Sequence, residues 1–466
     1  RGGLFSDGLP FLRKAAALAP ESVDVTLDLG RTLVSLGHHE EARKVLEQGR
    51  QRWPRHASLA YAYAETALLF NERETALKAL DVALQGTDVP LDWFILTART
   101  LTQYEVDGTR PVPDLVRMVN TQIGLDKGIT AHPDHFEARL LRAELSIARH
   151  EFAQAYDQFQ EMIETNTSIA GSRWRVQAGL GEAALRIDKI ENALVALKDA
   201  IQSQPENPRL QRLLAEAYKA GKLDPEAIAA ARDALKLSPD GLEMLAWYAG
   251  LMAQLGEPGE AIQALLTATQ LAPECAAHWI GLAEMYLRME NQTAARTALQ
   301  TALDLKVLTT DQLRRVAKVY LTLGQPAAAL ESLLRASNDG RAADAELWVE
   351  LAYLFQLNER HEQGYEVLQQ AASRVQGAAW LSIFQADLLI KMGRYEAAAA
   401  CLEQAQRLHT AKATSRAIQS ILIPEEWQAA IQQAYAVPVR FAHLERCTGN
   451  LVGALQHAEA ALEMRP

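Results

Sequence analysis

Ladders of small residues repeating every 34 positions predict an all-α solenoid of stacked helical hairpins. Ala193, Ala227, Ala261, Ala295 and Ala329 form one ladder, and Ala200, Ala234, Ala268, Ala302 and Ala336 run seven residues behind it. Pro205, Pro239 and Pro273 keep the same step, as do Pro20 with Pro54 and Ala42 with Ala76. Several ladders in one register mark a tandem array. The second observation is that apolar residues recur at helical spacing while β-strand signals are essentially absent.

Each unit reads as two amphipathic helices. After Pro273, the residues Trp279, Leu282, Ala283 and Tyr286 share one face of a first helix. The turn falls at Glu290 and Asn291, and Ala295, Leu299 and Ala302 then line a second helix. Gly37, Gly256, Gly324 and Gly393 occupy that turn in other units, where a helix C-terminus needs positive φ. Prolines stop the second helix and open the next unit. Small residues sit where helices cross, because they let the backbones approach.

Composition bounds the function. The 466 residues are 49% hydrophobic, 23% charged and 6% aromatic, which excludes wholesale disorder. With 47 basic against 58 acidic side chains the net charge is −11, so no nucleic-acid partner is expected. Cys275, Cys401 and Cys447 are odd in number and form no C-x-x-C pair, which argues against a disulfide framework or a zinc module. No apolar run reaches the ~18 residues that a membrane-spanning helix needs. The chain opens on Arg1 without a leader-like segment, which reads as a removed signal or an excised piece. Unpaired thiols favour a cytoplasmic setting, with a processed periplasmic protein as the alternative.

The pattern resembles the tetratricopeptide repeat (TPR). Trp279, Leu282, Tyr286, Ala295 and Ala302 match that family's positions in one unit. Leu29, Gly30, Gly37, Ala42 and Pro54 match it in the first full unit, as do Leu180, Gly181, Ala193, Ala200 and Pro205 further on. The resemblance implies a right-handed superhelix of about twelve helical hairpins. Units start near 23, 57, 90, 136, 174, 208, 242, 276, 310, 345 and 379. N-terminal units then cover 1–89, and an irregular unit with an inserted loop at 105–112 covers 90–135. A regular array covers 136–408, an insertion or extra helix 409–437, and a last unit 438–466. That last unit looks truncated, since no polar capping helix follows it. Ile421, Leu422, Ile423 and Trp427 make the second break too apolar for a free linker.

Signatures of catalysis fail one by one. There is no G-x-x-x-x-G-K-[ST], H-E-x-x-H or G-x-S-x-G. Gly179 and Gly181 read as packing residues, and His132 with His135 as a repeat junction lacking further metal ligands. Cys275 and Cys401 read as buried or junction thiols with no histidine close enough in sequence to activate them. Neither an enzyme nor a metal or cofactor is expected.

The resemblance implies that the first helix of each unit lines a concave groove at its second, fifth, ninth and twelfth positions. The ninth positions read Arg31, Glu65, Glu144, Glu182, Glu216, Gly250, Glu284, Lys318, Tyr353 and Asp387. Glu182, Arg212 and Glu216 are candidate partner contacts within an acidic stripe that would favour a basic ligand. Later in the chain Arg314, Arg315 and Lys318 are expected to form a basic cluster. Tyr353, Trp380, Ile383, Phe384 and Asp387 are expected to form an exposed binding patch beside it. Trp279 and Trp348 take the family's core position, and Trp247 is displaced from it. The expected function is a non-catalytic scaffold holding a partner peptide or helix in the groove. The alternative is a regulatory or substrate-recruiting arm of a larger multidomain enzyme, or of a bacterial secretion or polysaccharide-export assembly. Uncapped solenoid ends would also permit self-association.

Overall fold

The computed structural model describes residues 2–86, 89–102, 114–165, 172–305, 308–337, 345–374, 379–410 and 436–463. The insertion expected at 105–112 and residues 411–435 of the second break lie outside them. Among the described residues there are 25 helices and no strand, and most helices that follow one another in the chain pack together. No helix there is long and apolar enough to cross a membrane. The chain divides into two compact units, Arg1–Tyr248 and Ala249–Pro466.

In the first unit, α1 (Gly2–Leu18) precedes the hairpins α2 (Val23–Ser35) with α3 (His39–Arg52) and α4 (Ala57–Leu69) with α5 (Arg73–Ala83). Then come α6 (Leu91–Thr102) with α7 (Leu115–Ala131), α8 (Phe136–Ala148) with α9 (Phe152–Glu164), and α10 (Arg173–Arg186) with α11 (Ile190–Ser203). The pair α12 (Pro208–Ala220) and α13 (Asp224–Leu237) follows, and the boundary falls inside α14 (Leu242–Gln254). The second unit continues with α15 (Pro258–Leu271), α16 (Ala276–Arg288), α17 (Gln292–Asp304), α18 (Thr310–Thr322) and α19 (Pro326–Ser337). It ends with α20 (Ala345–Leu357), α21 (His361–Arg374), α22 (Ala379–Lys391), α23 (Tyr395–Thr410), α24 (Ala436–Cys447) and α25 (Leu451–Glu463).

The alanine ladders are the helix crossings. Ala193, Ala227, Ala261, Ala295 and Ala329 are each 0% exposed, and so are Ala200, Ala234, Ala268, Ala302 and Ala336. A side chain larger than a methyl group at these places would hold the two helices of a hairpin apart. Glycine goes further where a large neighbour needs the space. A Cβ on Gly179 would lie 2.3 Å from Cζ of Phe159 on α9, and one on Gly181 would lie 2.6 Å from Cγ of Leu197 on α11. These two glycines of α10 therefore seat it between its neighbours, as packing residues should.

Each hairpin turn among the described residues uses one left-handed residue, and glycine is not required there. Gly37, Gly256, Gly324 and Gly393 have φ between 72° and 81°, whereas Asn71, Asp188, Lys222, Glu290 and Glu359 have φ between 57° and 62°. In each case the next amide reaches back to a carbonyl five residues earlier, as Leu223 does to Tyr218 at 2.9 Å and Asn291 to Tyr286 at 2.8 Å. That bond satisfies a carbonyl that the helix end leaves over. Helix starts are capped in kind: the Nδ1 atoms of His56 and His135 accept from Leu59 at 3.3 Å and Ala138 at 3.2 Å. Thr309 and Gln312 form a reciprocal capping box at the start of α18.

Candidate partner-binding surface

Along the first helices of the first unit, the ninth-position acids Glu144, Glu182 and Glu216 are engaged by arginines, most of them from neighbouring repeats. Arg175 of α10 reaches back to Glu144 of α8 at 3.0 Å and to Glu137 at 3.5 Å. Arg209 of α12 pairs in the same way with Glu182 of α10. Glu216 of α12 takes Arg186 at 3.2 Å, Arg212 at 3.4 Å and the indole N–H of Trp247 at 3.1 Å. The guanidinium of Arg212 also lies over the Trp247 ring, 5.3 Å from its centre. Burial pushes the Glu144 carboxyl above the usual range, and Arg175 and Arg209 pull it back. Glu182, Arg212 and Glu216 are thus members of one charge-paired strip rather than of a bare acidic stripe. Arg99 of α6, paired with Glu137 at 3.2 Å, extends the strip.

The late patch is corrected by the structure. Trp380 is 4% exposed, Ile383 0% and Phe384 1%, so these three side chains are core and cannot meet a partner. The reason is twofold. Helix α22 is apolar on nearly every side, and such a helix is buried all round. Helix α24 then covers it: Val437 and Leu444 join Ile383, Ala386 and Ile390 in one cluster, and Arg440 pairs with Asp387 at 3.1 Å. Burial raises the Asp387 carboxyl above the usual range, and Arg440 offsets part of that shift. Tyr353 is half-buried, and burial pushes its hydroxyl up as well.

Nor do Arg314 and Arg315 make a free basic cluster with Lys318. Arg314 clamps the fully buried Glu350 of α20 through two bonds of 2.8 Å and 2.6 Å. Arg315 grips Glu284 of α16 at 2.9 Å and 2.7 Å. Lys318 is the exposed member, and it faces a cleft of about 330 Å³ shared with Glu284, Leu287 and Arg288. Trp348 is buried as its position implied, but Trp279 is only half-buried and donates its indole N–H to the Pro273 carbonyl at 2.9 Å. The reading of the cysteines also changes, because the Cys275 sulfur lies 3.9 Å from Nε2 of His278, one helical turn on. Burial keeps that imidazole below its usual pKa and hence neutral, so it supplies no cation to activate the thiol.

Some features of this surface were not anticipated. Tyr61 of α4 and Trp93 of α6 stack with ring centres 4.9 Å apart and planes at 12°. A cleft of about 790 Å³ opens among α5, α6 and α7, with exposed Val116 and Ile123 on its rim. Arg117 beside it is held by Asp81 at 2.8 Å and Asp114 at 3.1 Å. Helices α6 and α7 close tightly there, since a Cβ on Gly124 would lie 2.2 Å from the Phe94 ring. In sequence the only signal was the aromatic content of α4 and α6.

Stacked antiparallel hairpins joined through buried alanine crossings define a helical-repeat solenoid. Models of the tetratricopeptide repeat match residues 3–52, 179–241, 252–306 and 383–409. The chain is a tetratricopeptide repeat protein. No curated protein matches it in sequence. Among solved structures it is similar to a tetratricopeptide repeat protein from Parabacteroides merdae, with 14% identity and a TM-score of 0.42, over 61% of this chain and 99% of that one. It is also similar to the human IFIT1 dimer with PPP-AAAA, with 14% identity and a TM-score of 0.41, over 86% and 95% of the two chains. YrrB, a TPR protein with an unusual peptide-binding site, is similar over 39% of this chain and 92% of its own, with 19% identity and a TM-score of 0.32.

Proposed function

We propose that this protein is a non-catalytic interaction scaffold that holds an extended peptide or helix of a protein partner along its first helices. One observation carries the reading: the repeat register sets polar side chains of successive first helices side by side, from Glu144 and Arg175 through Glu182 and Arg209 to Glu216. Such a strip offers a partner alternating charges at a fixed spacing, and charge complementarity selects partners more than it tightens them. A protein rather than a nucleic acid is the fitting ligand, because the chain carries a net charge of −11.

The test compares two faces. A partner retained from native lysate is identified, and its affinity is measured for a first-helix variant (Glu65→Ala, Arg186→Ala, Lys318→Ala) and a second-helix variant (Lys78→Ala, Lys236→Ala, Arg407→Ala). The first variant should bind at least ten times more weakly and the second should bind as the parent chain does, with both melting normally. The opposite pattern places the partner on the second helices and ends the proposal.

A further inference from the structure

The stacked pair Tyr61 and Trp93 stands in an acidic setting. Both rings are half-buried, and Glu65, one helical turn on from Tyr61, sets its charge beside the Tyr61 hydroxyl. Asp92, next to Trp93, adds a second negative charge felt at Tyr61. Glu65 and Asp92 are both exposed, and neither forms an ion pair among the described residues. Burial pushes the Glu65 carboxyl above its usual range, and Arg31 is near enough to ease that shift without pairing with it.

The rest of the same unit shows how this chain normally completes such a group. At Trp247 the ring is flanked by Glu216 and covered by the Arg212 guanidinium at 5.3 Å. Arg50 covers the Tyr63 ring at 4.6 Å, Arg43 covers Phe70 at 5.2 Å, and Lys189 covers Tyr156 at 3.8 Å. At Tyr61 and Trp93 the aromatic surface and the carboxylates are present, with no cation of the described residues over the rings.

We propose that Tyr61, Trp93, Glu65 and Asp92 form a receptor for an arginine side chain of the bound partner. A guanidinium is the fitting group because it is planar, stacks on an aromatic face and donates two parallel bonds to a carboxylate. The inference rests on the scaffold reading only in that the arginine arrives on a peptide laid along the first helices.

The test uses the whole chain and three small probes: Nα-acetyl-arginine amide, the lysine analogue, and the uncharged isostere Nα-acetyl-citrulline amide. Binding is followed at the Trp93 indole N–H resonance, assigned with Trp93→Phe. The arginine probe should shift that resonance saturably, the lysine probe should bind more weakly, and citrulline should need at least a tenfold higher concentration. The double variant Glu65→Gln with Asp92→Asn, which keeps side-chain size and should keep the melt, should abolish the shift. An unmoved indole, or an equal response to citrulline, overturns the receptor. The two proposals fail separately. A silent probe with a partner still lost from the first-helix variant removes only the receptor. A responsive probe with a partner indifferent to every first-helix substitution removes only the scaffold.

Discussion

The strip on α8, α10 and α12 and the pair of helices α20 and α22 hold the same kinds of residue at matching repeat positions, yet they do opposite things. In the strip, Arg175, Arg209 and Arg212 remain a quarter to a third exposed while they hold their acids. At α20 and α22, Glu350 and Asp387 are sealed in with Arg314 and Arg440, whose side chains are 11% and 12% exposed. The ninth position of a first helix is Glu182 in one place and Asp387 in the other. Both acids are nearly buried, 10% and 14% exposed, and what separates the two places is the arginine, 25% exposed at Arg209 but 12% at Arg440, which α24 carries onto α22. Repeat position therefore fixes where a side chain points, and neighbouring helices decide whether it meets solvent.

The largest effect should come from the sealed region. Arg314→Ala takes its guanidinium partner from the buried Glu350 carboxylate, and should destabilise the Ala249–Pro466 unit by about 3–5 kcal/mol. Native-state hydrogen exchange across α18 and α20 reads this locally, which suits an array whose repeats do not all unfold together. Arg175→Ala breaks a pair of the open strip and should cost about 1 kcal/mol or less. Equal losses at the two sites would dissolve the contrast between them.

Next in size is Ala295→Leu, at a crossing that is 0% exposed. Overpacking there should cost about 1–3 kcal/mol. A urea titration of the variant checks it, and an unchanged midpoint would mean that the α16–α17 crossing has spare room.

Smaller, and of opposite sign, is the replacement of Lys222 by glycine. Lys222 has φ of 58°, a conformation that costs an L-residue energy and glycine none, so Lys222→Gly should stabilise by about 0.5–1 kcal/mol. Asn71→Gly should gain less, because asparagine tolerates the same backbone better. A thermal melt in which Lys222→Gly falls below the parent would show that its side chain does something the turn needs.

The finest discriminator is a slope with pH. Asp387 has its carboxyl pKa raised in the folded state, so between the ordinary carboxylate value of about 4 and that raised value the folded chain binds more protons. Its contribution to stability is therefore present at low pH and lost as pH rises through that window. Asp387→Asn, which cannot titrate, should cost more at pH 4 than at pH 7 when α22 protection is measured. A cost independent of pH would mean that Arg440 fully compensates the burial.

Much of the fold was readable in advance because it is periodic. A 34-residue step, small crossing residues and turn chemistry repeat, so each unit corroborates the next, and helices begin at Ala57, Pro208, Ala276 and Thr310 where the ladders put them. The surface was far less readable. Arg315 and Glu284 stand 31 residues apart, and Arg440 stands 53 residues from Asp387 across a break in the period. Tyr61 and Trp93 meet only because the fold brings α4 and α6 together at that point.

The sequence by itself determined the helical hairpins, their step and the residues that let them cross, since those follow from local periodicity and side-chain size. Only the tertiary structure decided which first-helix side chains are surface and which are core. Burial is a property of what packs on top: Trp380 and Phe384 carry the composition of a binding patch, but they are core because α22 has almost no polar side and its neighbours enclose it. Charge likewise became legible only in place, where an arginine from the next repeat turns a row of acids into a row of pairs.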